Sequence, residues 1–128
     1  MKVLIDTHVA LWLFNDYENL SNAAIDCLRN EENELYISIA SVWEVAIKCS
    51  LGKLSEFKGG VKRFLYAIHD KPIEIIGIIP EYIEEVETLL YIHRDPFDRI
   101  IIATALCENM TILTVDEDMR KYDVNCYW

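Results

Sequence analysis

The sequence predicts an α/β fold. It reads as a single domain, residues 1–128, with a central, mainly parallel sheet covered by helices on both sides. Three observations carry this expectation. Short apolar runs alternate with helical patterns along the whole chain. The runs KVLID (2–6), LYISIA (35–40), PIEIIGI (72–78) and NMTILTVD (109–116) are largely apolar on both faces, as strands between two helical layers must be. Finally, 128 residues of 52% hydrophobic content suffice for one sizeable core, and no linker, repeat or low-complexity stretch divides them.

KVLID is the first strand and closes on Asp6. His8 to Phe14 reads as a helix or helical turn. Ser21 opens the helix SNAAIDCLRNEE, with Ile25 and Leu28 on one side. LYISIA is the second strand. SVWEVAIKCSL (41–51) is a helix with Ser41 or Ser38 as cap and Gly52 as its stop. Gly59-Gly60 precedes the helix VKRFLYAIHD, and PIEIIGI is the third strand. Pro80 opens PEYIEEVETLLYIH, where Ile83, Val86, Leu89 and Leu90 recur at helical spacing. In HRDPFDRIIIATA, Asp95 is a good N-cap and Pro96 suits the first helical position. Asp98 then falls at the third position, where a carboxylate suits the helix dipole. NMTILTVD is a strand ending on an acid, EDMRKY a short helix, and DVNCYW a candidate last strand.

The net charge of −10 argues against a general nucleic-acid binder, but the charge is uneven. Lys48, Lys53, Lys58, Lys62, Arg63 and Lys71 form a basic island between two acidic stretches. It reads either as a solvated helix face or as a phosphate-contacting rim beside an acidic pocket. Cys27, Cys49, Cys107 and Cys126 form no C-x-x-C and read as buried small hydrophobes in a reducing compartment. Asp6 and His8 interrupt the apolar start, so no secretory signal is expected. The apolar runs are too short to span a membrane, and a cytoplasmic protein is the expectation.

Four acids stand out as a set. Asp6 ends the first strand and Asp116 a later one, so both emerge at the carboxyl edge of a parallel sheet. Glu44 lies in the helix leaving the second strand at that edge, and Asp98 lies one turn into the helix opened by Asp95. Each has a plainer reading. Asp6 and Asp116 would serve as helix caps, Glu44 would pair with Lys48 at i,i+4, and Asp98 would be a dipole-matched acid. Together those readings weaken. Glu44 stands among Val42, Trp43, Val45, Ala46 and Ile47, where an unpaired acid is costly. Clustered carboxylates repel unless a cation neutralises them, and hard oxygen ligands suit Mg²⁺ or Mn²⁺. One or two such ions would activate water for attack on a phosphodiester. The Thr114 hydroxyl would orient that water or support a ligand; otherwise Thr114 fills a strand as a β-branched residue.

The stretches LIDTHVALWLF, SIASVWEVAIKCSLGKL, HRDPFDRIIIATA and ILTVDEDM, in that order, resemble the PIN domain family, and within it the VapC-type ribonuclease toxins of bacterial toxin–antitoxin pairs. The resemblance covers essentially the whole chain. It implies a three-layer α/β/α sandwich with a parallel sheet of about five strands, and Mg²⁺- or Mn²⁺-dependent endonucleolytic cleavage of RNA, of the tRNA or rRNA class. Residue by residue, the family's acidic set falls on Asp6, Glu44, Asp98 and Asp116, with Asp95 as an additional acid supporting the site and capping its helix. Arg99 would contact phosphate or pair with a neighbouring acid, and Lys48, Lys53, Lys58, Lys62 and Arg63 are candidate RNA contacts. Met119 stands where many relatives carry an aromatic residue, a matter of packing. The resemblance also implies a small antitoxin partner and a homodimer. An antitoxin would inhibit by placing a basic side chain among the carboxylates. The apolar segment VALWLF reads either as an interaction patch or as core.

Rival chemistries find less support. His8, His69 and His93 would have to pair for metal-free RNase chemistry, and nothing in the sequence places two together. An aspartyl phosphatase would need an acid at position 8, which is His8. No G-x-S-x-G elbow is present. The rival from another class is a silent PIN-like module that binds RNA or a protein partner without cutting.

Overall fold

The computed structural model describes residues 1–128. Its sheet contains β1 (Lys2–Ile5), β2 (Glu34–Ser38), β3 (Ile73–Ile76), β4 (Thr111–Leu113) and β5 (Cys126–Tyr127). Every pairing is parallel, in the order β3-β2-β1-β4-β5. The helices are α1 (Thr7–Asn15), α2 (Asn22–Arg29), α3 (Ile39–Ser50), α4 (Gly60–His69), α5 (Pro80–Thr88) and α6 (Pro96–Glu108). Short 3₁₀ turns cover Tyr17–Asn19 and Met119–Lys121.

Successive strand residues point to opposite faces, and that period of two divides the core into two clusters. Val3, Ile5, Leu35, Ile37 and Leu113 face one layer, where they meet Val9, Ala24, Val42, Val45, Phe64 and Ile68 of α1 to α4. Leu4 and Ile112 face the other, where they meet Ile101, Ile102 and Ala105 of α6. Both sheet faces are therefore covered, which is why the strands read as continuous apolar runs. The VALWLF segment is core: Val9 and Ala10 are buried, and Leu11 to Phe14 pack half-buried against the first cluster. Met119 is fully buried in the second.

Element ends differ from the sequence expectations for local reasons. Ser38, not Ser41, caps α3; its hydroxyl accepts from the Ala40 N–H at 3.0 Å, which draws Ile39 and Ala40 out of the expected strand and into the helix. Ser41 instead accepts a 2.7 Å hydrogen bond from the Thr7 hydroxyl, tying α3 to α1. Helix α5 stops at Thr88 rather than continuing to His93, and β4 pairs only over Thr111–Leu113 because β1 ends at Ile5. α6 ends on Asn109 in the left-handed conformation, a residue type that tolerates it. Gly59 opens α4 with φ of 94°, and a Cβ there would meet Arg63 Cβ at 2.8 Å. Of the cysteines only Cys27 is buried; Cys107 is exposed near the end of α6, where the helix passes beyond the core. No helix is long and apolar enough to cross a membrane.

Candidate active site

The strand order places β1 between β2 and β4, so the chain leaves β1 towards one side of the sheet and later returns to the other. Ligands of open parallel sheets bind at such a switch point, outside the carboxyl ends of the strands. Asp6 directly follows β1. Thr114 and Asp116 follow β4, and α3 leaves β2 carrying Glu44. α6 begins at the same edge. Together they form a cleft of about 260 Å³ lined by Asp6, Glu44, Asp95, Asp98 and Asp116, with Thr7, His8, Trp12, Lys48 and Val115. The four acids expected from the sequence thus share one cleft, with Asp95 beside them.

Each carboxylate is held differently. Asp6 is buried at the N-cap of α1, yet its side chain makes no cap hydrogen bond; it accepts from the Thr114 hydroxyl at 2.8 Å. That same hydroxyl accepts from the Asp116 N–H at 3.0 Å, so Thr114 joins the two strand-ending acids. Asp116 Oδ1 accepts from the Asp118 N–H at 2.8 Å, leaving Oδ2 towards His93 Nε2 at 2.8 Å. The same imidazole nitrogen lies 3.2 Å from Asp98 Oδ2. Ligand atoms of His93, Asp98 and Asp116 all lie within 4.8 Å of one another, making this trio the compact part of the cluster. Glu44 Oε2 pairs with Lys48 Nζ at 2.6 Å, while the buried Oε1 has no hydrogen-bond partner.

The electrostatics follow from this crowding. Burial pushes Asp6 up to about 6 against the lowering effect of the Thr114 hydrogen bond. Burial, then the charges of Asp6 and Asp95, push Asp98 up to about 8. For Asp116, burial is the largest single influence, but the hydrogen bonds from His93 and from the Asp118 and Met119 N–H groups, with the His93 charge, together outweigh it, and its carboxyl is held below the ordinary value. His93 is raised, because Asp116 and Asp98 outweigh its own burial. Lys48 is raised as well; burial opposes this, but the bond to Glu44 prevails. Five carboxylates therefore face one cleft, and Lys48 and His93 are the only basic side chains bonded to them.

The donor set is oxygen-rich with one imidazole, and it includes a buried carboxylate oxygen without a partner. It fits a hard divalent cation. Asp6, Glu44, Asp98 and Asp116 are the residues that would hold it. The same arrangement can also bind a cationic side chain from outside.

Other expected residues are placed less simply. Asp95 does cap α6: Oδ1 accepts from the Phe97 N–H at 2.8 Å and from the Asp98 N–H at 3.3 Å. Arg99 neither pairs with an acid nor reaches the cleft. It is buried, and its guanidinium donates to the carbonyls of Val86, Leu90 and His93 at 3.0 to 3.3 Å. Those carbonyls lie at the end of α5 and in the loop beyond it, where regular helical hydrogen bonding stops. Arg63 likewise departs from the RNA-contact set: it donates to Asn15 Oδ1, the Lys58 carbonyl and the Phe14 carbonyl, and stacks on Phe57. Lys48 belongs to the cleft itself. Lys53, Lys58, Lys62 and Lys71 are exposed. His93, considered in the sequence only for metal-free chemistry, joins the acidic cluster here. Its signal was its place five residues before Asp98, but its approach depends on a loop fixed by Arg99 and by Tyr122, whose hydroxyl accepts from the His93 N–H at 2.8 Å.

Comparison with known proteins agrees with this architecture. Among solved structures, VapBC2 of Rickettsia felis, bound to a DNA fragment from its promoter, superposes with a TM-score of 0.73 at 16% identity, covering 99% of this chain and 98% of that one. A toxin–antitoxin complex from Klebsiella pneumoniae gives 0.67 at 20% identity, with coverage of 98% and 96%. FitAcB of Neisseria gonorrhoeae gives 0.64 at 20%, again covering 98% and 96%. No curated protein sequence matches. The PIN domain profile matches residues 3–125, from the first strand through the last acid of the cleft and beyond. With the profile spanning nearly its whole length, and five parallel strands delivering its acids to one edge, the chain belongs to the PIN domain family.

Proposed function

We propose that this protein is a divalent-metal-dependent endoribonuclease and the toxin of a toxin–antitoxin pair. PIN domains are generally nucleases. The observation that carries the reading is the convergence of Asp6, Glu44, Asp98 and Asp116 on one cleft whose basic side chains are too few for its acids. Bound Mg²⁺ or Mn²⁺ would lower the pKa of a water and neutralise charge on the scissile phosphate. The chain's own residues do the rest. Thr114 fixes the Asp6 carboxylate and the backbone before Asp116. Asp95 fixes the start of α6 and so the position of Asp98. Lys48 is the one basic side chain lining the cleft and is placed to meet a phosphate oxygen.

The test is incubation of purified protein with end-labelled tRNA and rRNA fragments in Mg²⁺, Mn²⁺ or EDTA, beside Asp98→Asn. Discrete cuts that require metal and vanish in the variant are expected. A folded protein that cuts under no condition overturns the reading.

A second reading has its own observation. Lys48 and His93 already bond to Glu44, Asp98 and Asp116, as they would in a silent module that needs no ion. Against it, Asp6 and Asp95 have no cationic partner, and Glu44 Oε1 has no partner at all. Nuclease activity is therefore the better supported reading. Toxin–antitoxin complexes among the structural relatives support an antitoxin partner, whose basic side chain would enter this acidic cleft; mutating that side chain to Ala in the complex should restore cleavage. A homodimer and a cytoplasmic location belong to the same proposal.

A further inference from the structure

The cleft that would cut RNA is poorly made to attract it. Its walls are acidic and the chain carries −10 overall, so the phosphate attraction that dominates most nucleic-acid binding is weak here. Affinity for a substrate must come from elsewhere along the path into the cleft. One side of that path is aromatic. His8 and Trp12 lie four residues apart on α1, on the same helix face, and both line the cleft beside Asp6 and Asp116. Their rings meet edge to face at 5.5 Å, and Trp12 meets Trp128 at 5.8 Å.

The same two residues also wall a second hollow of about 80 Å³, shared with Leu11, Asn15, Asp16, Leu54, Glu56 and Phe57. Leu54 and Phe57 belong to the loop between α3 and α4, which also carries exposed Lys53 and Lys58. A strand crossing His8 and Trp12 leaves the five carboxylates of the cleft for a hollow that holds two further acids, Asp16 and Glu56, so aromatic faces rather than positive charge are what the path offers it. The edge of Trp12 packs against the core, which accounts for a tryptophan at position 12. Packing does not account for His8, which is exposed, makes no protein hydrogen bond and presents its ring to the cleft.

We propose that His8 and Trp12 form a base-stacking subsite for an unpaired nucleotide next to the scissile phosphate. Stacking on a π-face tolerates any base and needs no positive groove, which suits an acidic protein. A base inside a duplex has both faces covered and cannot use the site. The proposal rests on the ribonuclease reading above for its substrate.

The test pairs binding with cleavage. Binding of fluorescein-labelled oligouridine is followed by anisotropy in EDTA at low salt, against a duplex of the same length. The single strand should bind at least about ten-fold more tightly than the duplex, and His8→Ala should lose about ten-fold of that affinity. His8→Tyr, which keeps a stacking face, should restore it. Trp12→Phe guards against misfolding, since it retains both packing and a ring. In Mg²⁺, His8→Ala should raise KM for an unstructured RNA by a similar factor while kcat changes by less than about two-fold. Equal affinity for strand and duplex, an unchanged His8→Ala, or a loss that Tyr does not rescue would overturn the subsite. Binding through His8 without any cleavage would leave the subsite standing and overturn the nuclease reading. Cleavage with unaltered His8→Ala kinetics would do the reverse.

Discussion

Asp6 and Asp95 occupy the same formal position. Each is the N-cap of a helix that begins at the carboxyl edge of the sheet, and each borders the same cleft. Their side chains do opposite things. Asp95 turns back on its own helix and accepts from the N–H groups of Phe97 and Asp98. Asp6 makes no side-chain cap hydrogen bond; it feels the Thr7 N–H beside it but takes its hydrogen bond from the Thr114 hydroxyl on another strand. A capping carboxylate stabilises its helix and shares its charge with the backbone dipole. A buried carboxylate that does not cap its own helix is costly to desolvate, and the proposed function gives a reason for it: the cation it would hold. Under the proposed function, the difference gives Asp95 a structural role and Asp6 a metal-holding one, which sequence position alone does not.

The sharpest way to break this comparison is to neutralise each acid in turn. Asp6→Asn should abolish metal-dependent RNA cleavage, with a loss greater than about 100-fold, because even residues one step removed from a metal cost 10–100-fold when changed. Its urea-unfolding midpoint in EDTA should equal or exceed that of the parent, since a buried charge is removed. Asp95→Ala should show the reverse weighting. It should lose about 1 kcal/mol of stability, with a fall in Tm of roughly 3 °C in a calorimeter, and retain far more activity than Asp6→Asn. Equal catalytic losses in the two variants would erase the distinction.

Thr114→Val probes the link between the strand-ending acids. Removing the hydroxyl leaves Asp6 without its hydrogen bond and frees the Asp116 backbone. Mn²⁺ affinity, read by isothermal titration, should fall by about 10-fold to 100-fold with the fold intact by circular dichroism.

A smaller effect concerns pH. Asp98 titrates at about 8 in the fold against an ordinary 3.8, chiefly through burial and then the charges of Asp6 and Asp95. Between those values the folded state binds more protons than the unfolded state, so stability falls as pH rises and the loss is complete above about 8. His93, also raised, acts in the same direction around and above its ordinary 6.5. Urea unfolding in EDTA should show decreasing stability from pH 5 to 9. The slope should flatten in Asp98→Asn and also with saturating Mn²⁺, which takes the place of the protons.

Some of this was readable from residues alone. Apolar runs that end on acids fixed both the parallel sheet and the edge at which Asp6 and Asp116 emerge. The start of α6 was equally plain, because Asp95, Pro96 and Asp98 are each suited to their position in the first turn. The arginines were not readable. In a sequence Arg63 and Arg99 look like surface charges, whereas here each guanidinium donates to carbonyls at a helix end and in the neighbouring loop. The end of α5 and the position of His93 depend on that arrangement, so both were missed together. Local pattern carries the elements and the acids; long-range side-chain bonds to the backbone place the loop that completes the cluster.

The central claim is that Asp6, Glu44, Asp98 and Asp116 hold a divalent ion while Asp95 holds a helix. Anomalous diffraction from a crystal soaked in Mn²⁺ tests it most directly. The account predicts a peak within the cleft, bonded to carboxylate oxygens of that set, with Asp95 still accepting from the N–H groups of Phe97 and Asp98. A cleft without a peak at saturating Mn²⁺, with His93 still bridging Asp98 and Asp116, would contradict it.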